Sequence, residues 1–253
     1  MDIFRLKFII FFSLTALNIL FSTQTTFAGE KEELEEILRH DSEIIRAIEN
    51  NETADVRTAV DDLIEKYRTF LRKYPRNADA RNYLGGLYYD SGMAEEAFRE
   101  WRAGLRFNPR NPYLHNSIAE YYGHDSGEPK RAIKEVREAI RLKPDVAVFR
   151  FNLATYYDVF RFVVLPEFKS LENVFEACLS EYQKALELEP ANFEYASTYA
   201  RTLTYSPKIW KIKDSRPVSE KIKAWEYCLL LAPDKQQKEF IEKEITTVRL
   251  RIE

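Results

Sequence analysis

"EEAFREWRAGLRFNPRN", residues 95–111, sets a small residue at Ala97, a bulky one at Trp101, a second small one at Gly104 and a proline at Pro109. The same layout returns in "KRAIKEVREAIRLKPD" (130–145) and "FEACLSEYQKALELEPAN" (175–192), and more loosely in "EKIKAWEYCLLLAPD" (220–234). The prolines mark the period: Pro75, Pro109, Pro144, Pro190 and Pro233 stand 34, 35, 46 and 43 residues apart, so two intervals share one unit length and two carry extra chain. Five residues before the last four prolines stand Gly104, Ala139, Ala185 and Cys228, small enough to let one helix approach the next. Eight before them stand Trp101, Val136, Tyr182 and Trp225, which fill the space that approach creates. Twelve before stand Ala97, Ala132 and Cys178, and then Lys221, which breaks the rule. A plain helical bundle repeats apolar positions every 3.6 residues but has no reason to restore small, bulky and proline positions together at one long interval.

The other half of each unit repeats too, as Leu84-Gly85 with Tyr88, Ile118-Ala119 with Tyr122, Leu153-Ala154 with Tyr157, and Tyr199-Ala200 with Leu203. A large residue followed by a small one lets a helix pair cross tightly, and the residue three further on lies on the same face. On these positions the chain resembles the tetratricopeptide repeat (TPR) family over residues 78–233. The departures are Lys221 in an alanine slot and Leu203 in a tyrosine slot. The resemblance implies an all-α, right-handed solenoid of stacked antiparallel helix pairs, with repeats at 78–111, 112–146, 147–192 and 193–233, the last two with insertions. Residues 29–77 then read as a diverged repeat or N-terminal cap with Phe70 in a small slot, and 234–253 as a C-terminal capping helix carrying Ile241, Ile245 and Val248 on one stripe.

Composition agrees with an all-α chain. Among 253 residues glycine numbers only 7, while 45% are hydrophobic, enough to bury a sizeable core. A formal net charge of −3 with interspersed signs argues against nucleic acid as a partner. Residues 1–28 read as a secretory signal peptide: Arg5 and Lys7 precede the apolar run Phe8 to Phe21, and Thr26 and Ala28 stand three and one residues before a cleavage point at Gly29. The run is shorter than the roughly 20 apolar residues of a spanning helix, so an uncleaved N-terminal membrane anchor is the second reading. The expected location is therefore periplasmic or secreted. Cys178 and Cys228 are the only cysteines; in an exported chain they read either as a disulfide or as two small buried residues in repeat slots.

No signature of catalysis emerges. The three histidines, His40, His115 and His124, have no metal-ligand spacing, there is no Cys-x-x-Cys, no phosphate loop and no nucleophile elbow. "GHDSGEP", with His124, Asp125 and Glu128, reads as a turn. A noncatalytic module without metal or cofactor is expected, an enzyme being the cross-class alternative. The resemblance implies that the first helices line a concave groove for a peptide or protein, with an inner row of Asn82, Tyr89, Tyr113, Asn116, Glu120, Phe151, Thr155 and Arg201. Gly86, Glu120 and Thr155 depart from the amide and basic set with which one subgroup of the family clamps chaperone C-termini. The extra chain falls in "DVFRFVVLPEFKSL" and "YSPKIWKIKDSRP", between the two helices of their pairs. One is apolar, with Phe160, Phe162 and Leu165; the other interleaves Trp210 with Lys208, Lys211 and Lys213. They read either as covering one another or as a composite edge site for an acidic protein or an anionic membrane surface.

Overall fold

The computed structural model describes residues 28–49 and 55–250. The expected signal peptide therefore lies outside the described residues, save Ala28. Twelve α-helices are present among the described residues, and they fall in two compact units, one ending at Tyr121 and the other beginning at Tyr122.

The first unit runs α1 (Ala28–Glu49), α2 (Val56–Lys73), α3 (Ala78–Asp90), α4 (Ala94–Phe107) and most of α5 (Pro112–His124). Leu34, Ile37, Leu38 and Ile45 of α1 are buried, as are Leu63, Ile64, Tyr67, Phe70 and Leu71 of α2. Phe70, which stands in a small slot, is wholly buried with its ring 4.8 Å from Tyr74. The pair α3–α4 is set by one close approach. An atom at the Cβ position of Gly85 would overlap the indole of Trp101, and that indole donates from Nε1 to the Asn82 carbonyl at 3.1 Å. Gly104 plays the same part toward α5, where its missing Cβ would lie 2.7 Å from Leu114 Cδ1. Gly92, at φ 80°, ends α3 in a left-handed turn closed by bonds from Met93 N to Tyr88 O (2.8 Å) and Gly92 N to Tyr89 O (2.9 Å).

The second unit takes the end of α5 and then α6 (Pro129–Leu142), α7 (Ala147–Val159), α8 (Arg161–Val164), a 3-10 turn (Leu165–Glu167), α9 (Leu171–Leu188), α10 (Phe193–Trp210), α11 (Val218–Leu231) and α12 (Lys235–Leu250). "GHDSGEP" forms the turn between α5 and α6, with Gly127 at φ 66°. Ala132, Val136, Ala139, Cys178, Tyr182, Ala185, Trp225 and Cys228 are all 0–1% exposed, so the small and bulky slots sit where the spacing puts them. Cys178 and Cys228 are free and buried. Cys178 donates from Sγ to the Ala154 carbonyl (3.3 Å), and burial pushes the Cys228 thiol up to about 12. Ile241, Ile245 and Val248 of α12 close a core with Ala196, Ala200 and Trp225.

The two insertions differ in kind. The apolar one becomes α8 and the 3-10 turn, as a separate segment between the helices of its pair. The other begins as a continuation of the first helix: α10 runs 18 residues, passing through Pro207, before Lys211 ends it at φ 57°. Ile212 N reaches Pro207 O at 3.0 Å and Lys211 N reaches Lys208 O at 3.3 Å, the same closure that Gly92 provides for α3. The first six residues of this insertion, Tyr205 to Trp210, are thus helix. The cause is tertiary, because Trp210 at the end of α10 stacks edge-on against Phe175 of α9 at 5.6 Å.

A second periodic device caps the first helices. Asn77, Asn111 and Asn192, each two residues after a repeat proline, accept a backbone N–H from Ala80 (2.7 Å), Leu114 (3.2 Å) and Tyr195 (3.2 Å). At the equivalent position α7 has Val146, with no side-chain cap.

Two outcomes test this packing. Gly85→Ala is expected to cost about 1–3 kcal/mol by overpacking against Trp101. Its neighbour Gly86→Ala, with nothing within 4 Å of the new Cβ, is expected to be neutral or stabilising. Urea denaturation of the two variants against wild type reads both. Val146→Asn, placed on backbone angles close to those of Asn192, should gain about 0.5–2 kcal/mol in the same assay.

Candidate functional site

On α3, Asp79, Tyr83, Gly86 and Asp90 recur at steps of four, three and four residues, which puts them on one helical face. Asp41 of α1 belongs to the same polar group. It is 8% exposed and accepts a hydrogen bond from Tyr67 Oη at 3.3 Å. Burial pushes the Asp41 carboxyl up to about 6, against the weaker pull of that hydrogen bond. Asp90 is pushed up to about 7, by burial first and by the charge of Asp41 second. Burial also raises Asp79, although Asn111 Nδ2 donates to its Oδ1 at 2.9 Å. Tyr83 is raised by burial and then by Asp79, Tyr113 and Asp41, so these side chains share one neighbourhood.

Of the inner row expected in this unit, Asn82 and Asn116 are buried. Asn82 accepts from Ser117 Oγ at 3.0 Å, and Asn116 donates to Glu120 Oε1 at 2.9 Å. Tyr89 lies half-buried with its ring 5.5 Å from Trp101, while Tyr113 and Glu120 are half-exposed. The row is therefore present, but its two amides serve packing and orientation. Tyr83, Asp79 and Asp90 are half-buried on the neighbouring face of α3. The four-three-four spacing on α3 is the sequence signal that marks them.

In the second unit Phe151 of α7 stacks on Tyr195 of α10 (centroids 4.5 Å, planes 25° apart) and lies 5.4 Å from Tyr182. Thr155 donates to the Phe151 carbonyl at 3.0 Å and lies 3.1 Å from Tyr182 Oη. Arg201 is exposed on α10. Along the edge Arg161 lies between two rings, 4.9 Å from Phe162 and 5.2 Å from Trp210. Trp210 is only 5% exposed and Phe160 and Leu165 are half-buried, so these three pack. Phe162 is 65% exposed and Ile209 is 64%, with Lys208, Lys211 and Lys213 exposed as well. Arg216 binds Asp214 (3.0 Å) and Glu176, and Lys221 binds Asp214 at 2.8 Å, which explains how a lysine occupies an alanine slot. Among the described residues no group of three His, Cys, Asp or Glu is placed to hold a metal ion, and no helix is long and apolar enough to cross a membrane.

Solved structures with the same architecture extend this reading. The Pseudomonas aeruginosa pilF structure superposes with a TM-score of 0.60 at 15% identity, over 87% of this chain and 86% of that one. TTC0263, a thermophilic TPR protein of Thermus thermophilus, superposes at 0.57 and 14% identity, over 87% and 99%. The chain has the tetratricopeptide-repeat fold. A crystal structure of MamA agrees, at 0.51 and 17% identity, over 74% of this chain and 93% of that one. No protein-family model and no curated protein matches the sequence. The tetratricopeptide-repeat fold thus rests on the helix pairs and their slots, and what binds to it on the chemistry of the exposed rows.

Asp41 and Asp90 give a pH dependence with a definite sign. Their carboxyls titrate higher in the folded chain than the usual 3.8, so the folded state holds protons that the unfolded chain has released. That stability is complete below about pH 4 and is lost as pH rises through 6 and 7. Asp90→Asn is therefore expected to raise stability by about 1–3 kcal/mol at pH 8, with little difference from wild type at about pH 4. Denaturation midpoints of both proteins across that range read the effect.

Proposed function

We propose that this chain is an exported, noncatalytic protein interaction module that binds a peptide or protein through the faces of its first helices. A role as a scaffold in the cell envelope follows from the export signal. The observation that carries the reading is the division of labour on those helices. In each pair the slots between helices absorb the apolar side chains, while Asp79, Tyr83, Tyr113 and Glu120 in one unit and Glu194 and Arg201 in the other remain accessible or half-accessible. Aromatic side chains flanked by carboxylates offer stacking area and fixed acceptors to an extended segment. The tetratricopeptide-repeat fold supports the reading.

A second reading rests on the edge of the second unit, where exposed Phe162 and Ile209 accompany Lys208, Lys211 and Lys213. Two apolar side chains with clustered cations suit the surface of an anionic bilayer. Sedimentation with phosphatidylglycerol vesicles separates it from the first, since a pure protein binder stays in the supernatant.

Export predicts a mature protein beginning at Gly29, read by N-terminal sequencing. Affinity capture of envelope proteins on the mature chain, compared with a Tyr83→Ala, Tyr113→Ala variant, tests the groove. Capture is expected to fall at least tenfold, with the circular-dichroism melt kept within a few degrees. Undiminished capture of every partner moves the site off the first helices.

A further inference from the structure

The second helix of the second repeat carries a stripe of cations that the first-helix reading does not use. Lys130, Lys134, Arg137 and Arg141 follow one another on α6 at steps of four, three and four residues and so share one face. That face is one wall of a groove of about 380 Å³, whose other wall is the apolar insertion, Val163 and Val164 of α8 with Glu167 of the 3-10 turn. Ile133 and Val164 are almost wholly buried and Val163 half-buried, so the wall beneath the cations is apolar.

The four cations are not equivalent. Arg137 is held by Glu167 at 2.7 Å and by Tyr157 Oη at 3.0 Å, and these bonds fasten the insertion to α6. Arg141 is bound by both carboxylate oxygens of Glu138, at 2.6 and 2.7 Å. Lys130 and Lys134 are exposed and have neither a hydrogen bond nor an ion pair among the described residues. Four cations against Glu138 and Glu167 leave the lining positive on a chain whose net charge is −3. Two uncommitted ammonium groups beside an apolar wall match a carboxylate-rich segment that carries one large apolar side chain.

We infer that the groove between α6 and the α8 insertion is a docking site for an acidic linear segment of a partner protein, with Lys130 and Lys134 pairing its carboxylates and the half-buried Val163 receiving its apolar side chain. This goes beyond the first-helix reading, because α6 is the second helix of its pair. The sequence reading kept to the two insertions; the geometry also sets the apolar insertion beside the α6 cations.

The test uses the purified chain and a fluorescein-labelled synthetic peptide of glutamate and aspartate around a single phenylalanine, followed by fluorescence anisotropy. Wild type is expected to bind, and to bind more weakly as salt rises, since exposed charges are screened over about 8 Å at physiological ionic strength. Reversing both free charges, Lys130→Glu with Lys134→Glu, is expected to weaken binding about tenfold or more. Val163→Asp should weaken it as well, whereas a Lys208→Glu, Lys211→Glu, Lys213→Glu variant and the Tyr83→Ala, Tyr113→Ala variant should bind as wild type does. Failure of wild type to bind, equal binding of a lysine-for-acid control peptide, or an unchanged Kd on reversal at Lys130 and Lys134 overturns the site. So does loss that follows the Lys208–Lys213 cluster. Binding to phosphatidylglycerol vesicles or concentration-dependent dimers in sedimentation velocity, abolished by the α6 reversals without any peptide binding, would equally overturn an acidic segment as the occupant.

Discussion

The contact on which the helix pairs depend is that of a large ring laid on a backbone with no side chain in the way. Trp101 covers Gly85 so closely that a single methyl group would displace it, and its Nε1–H is satisfied by the Asn82 carbonyl at 3.1 Å. An indole buried without that acceptor would carry an unpaired donor, so the close approach and the hydrogen bond require one another. The device recurs in altered chemistry. Trp225 Nε1 donates to Thr204 Oγ1 at 3.0 Å, and the Cys178 thiol donates to the Ala154 carbonyl at 3.3 Å. Each time a second-helix side chain fills the gap left by a small residue on the first helix and finds an acceptor there. The repeat is conserved within this chain as a relation between volumes and donors, and that explains why Gly, Ala and Cys interchange in its slots.

Slots of this kind are legible in a sequence because they are local. Small, bulky and proline positions within one turn-helix-turn reach are fixed by spacing alone, and the structure buries Gly104, Ala139, Ala185 and Cys228 where the proline count puts them. Charge clusters are different. "KIWKIK" reads either as cover for the other insertion or as part of an edge site, and the structure draws Trp210 inward against Phe175, more than thirty residues earlier, with α10 extended to meet it. Likewise Lys221 breaks the alanine rule only on paper, since Asp214 from the adjoining segment neutralises it at 2.8 Å. The amides of the inner row are likewise engaged by neighbours within the chain. Asn82 and Asn116 lie on the expected face, yet Ser117 and Glu120 claim them, and only coordinates reveal which polar residue a neighbour has already used.

The same distinction between available and committed charge decides what the surfaces can do. A side chain bound to its neighbour offers a partner little, because the new contact must first replace the old one, whereas a free ammonium group or carboxylate gains the whole of it. By that measure several arginines are internal fasteners: Arg81 on Glu100 (2.5 Å), Arg150 on Glu181 (3.0 Å), Arg137 on Glu167 (2.7 Å). Bidentate guanidinium geometry suits that role, and the more mobile lysines are left at the surface.

Signs are also segregated between the units. The α3 row is acidic and aromatic, with Asp79, Asp90 and the buried Asp41 around Tyr83, whereas the α6 stripe is basic beside an apolar wall. A net charge of −3 averages the two and conceals both. Burial raises the carboxyls of Asp41 and Asp90 to about 6 and 7, so the acidic row gains charge as pH rises through that interval, a response that spacing and composition alone do not carry.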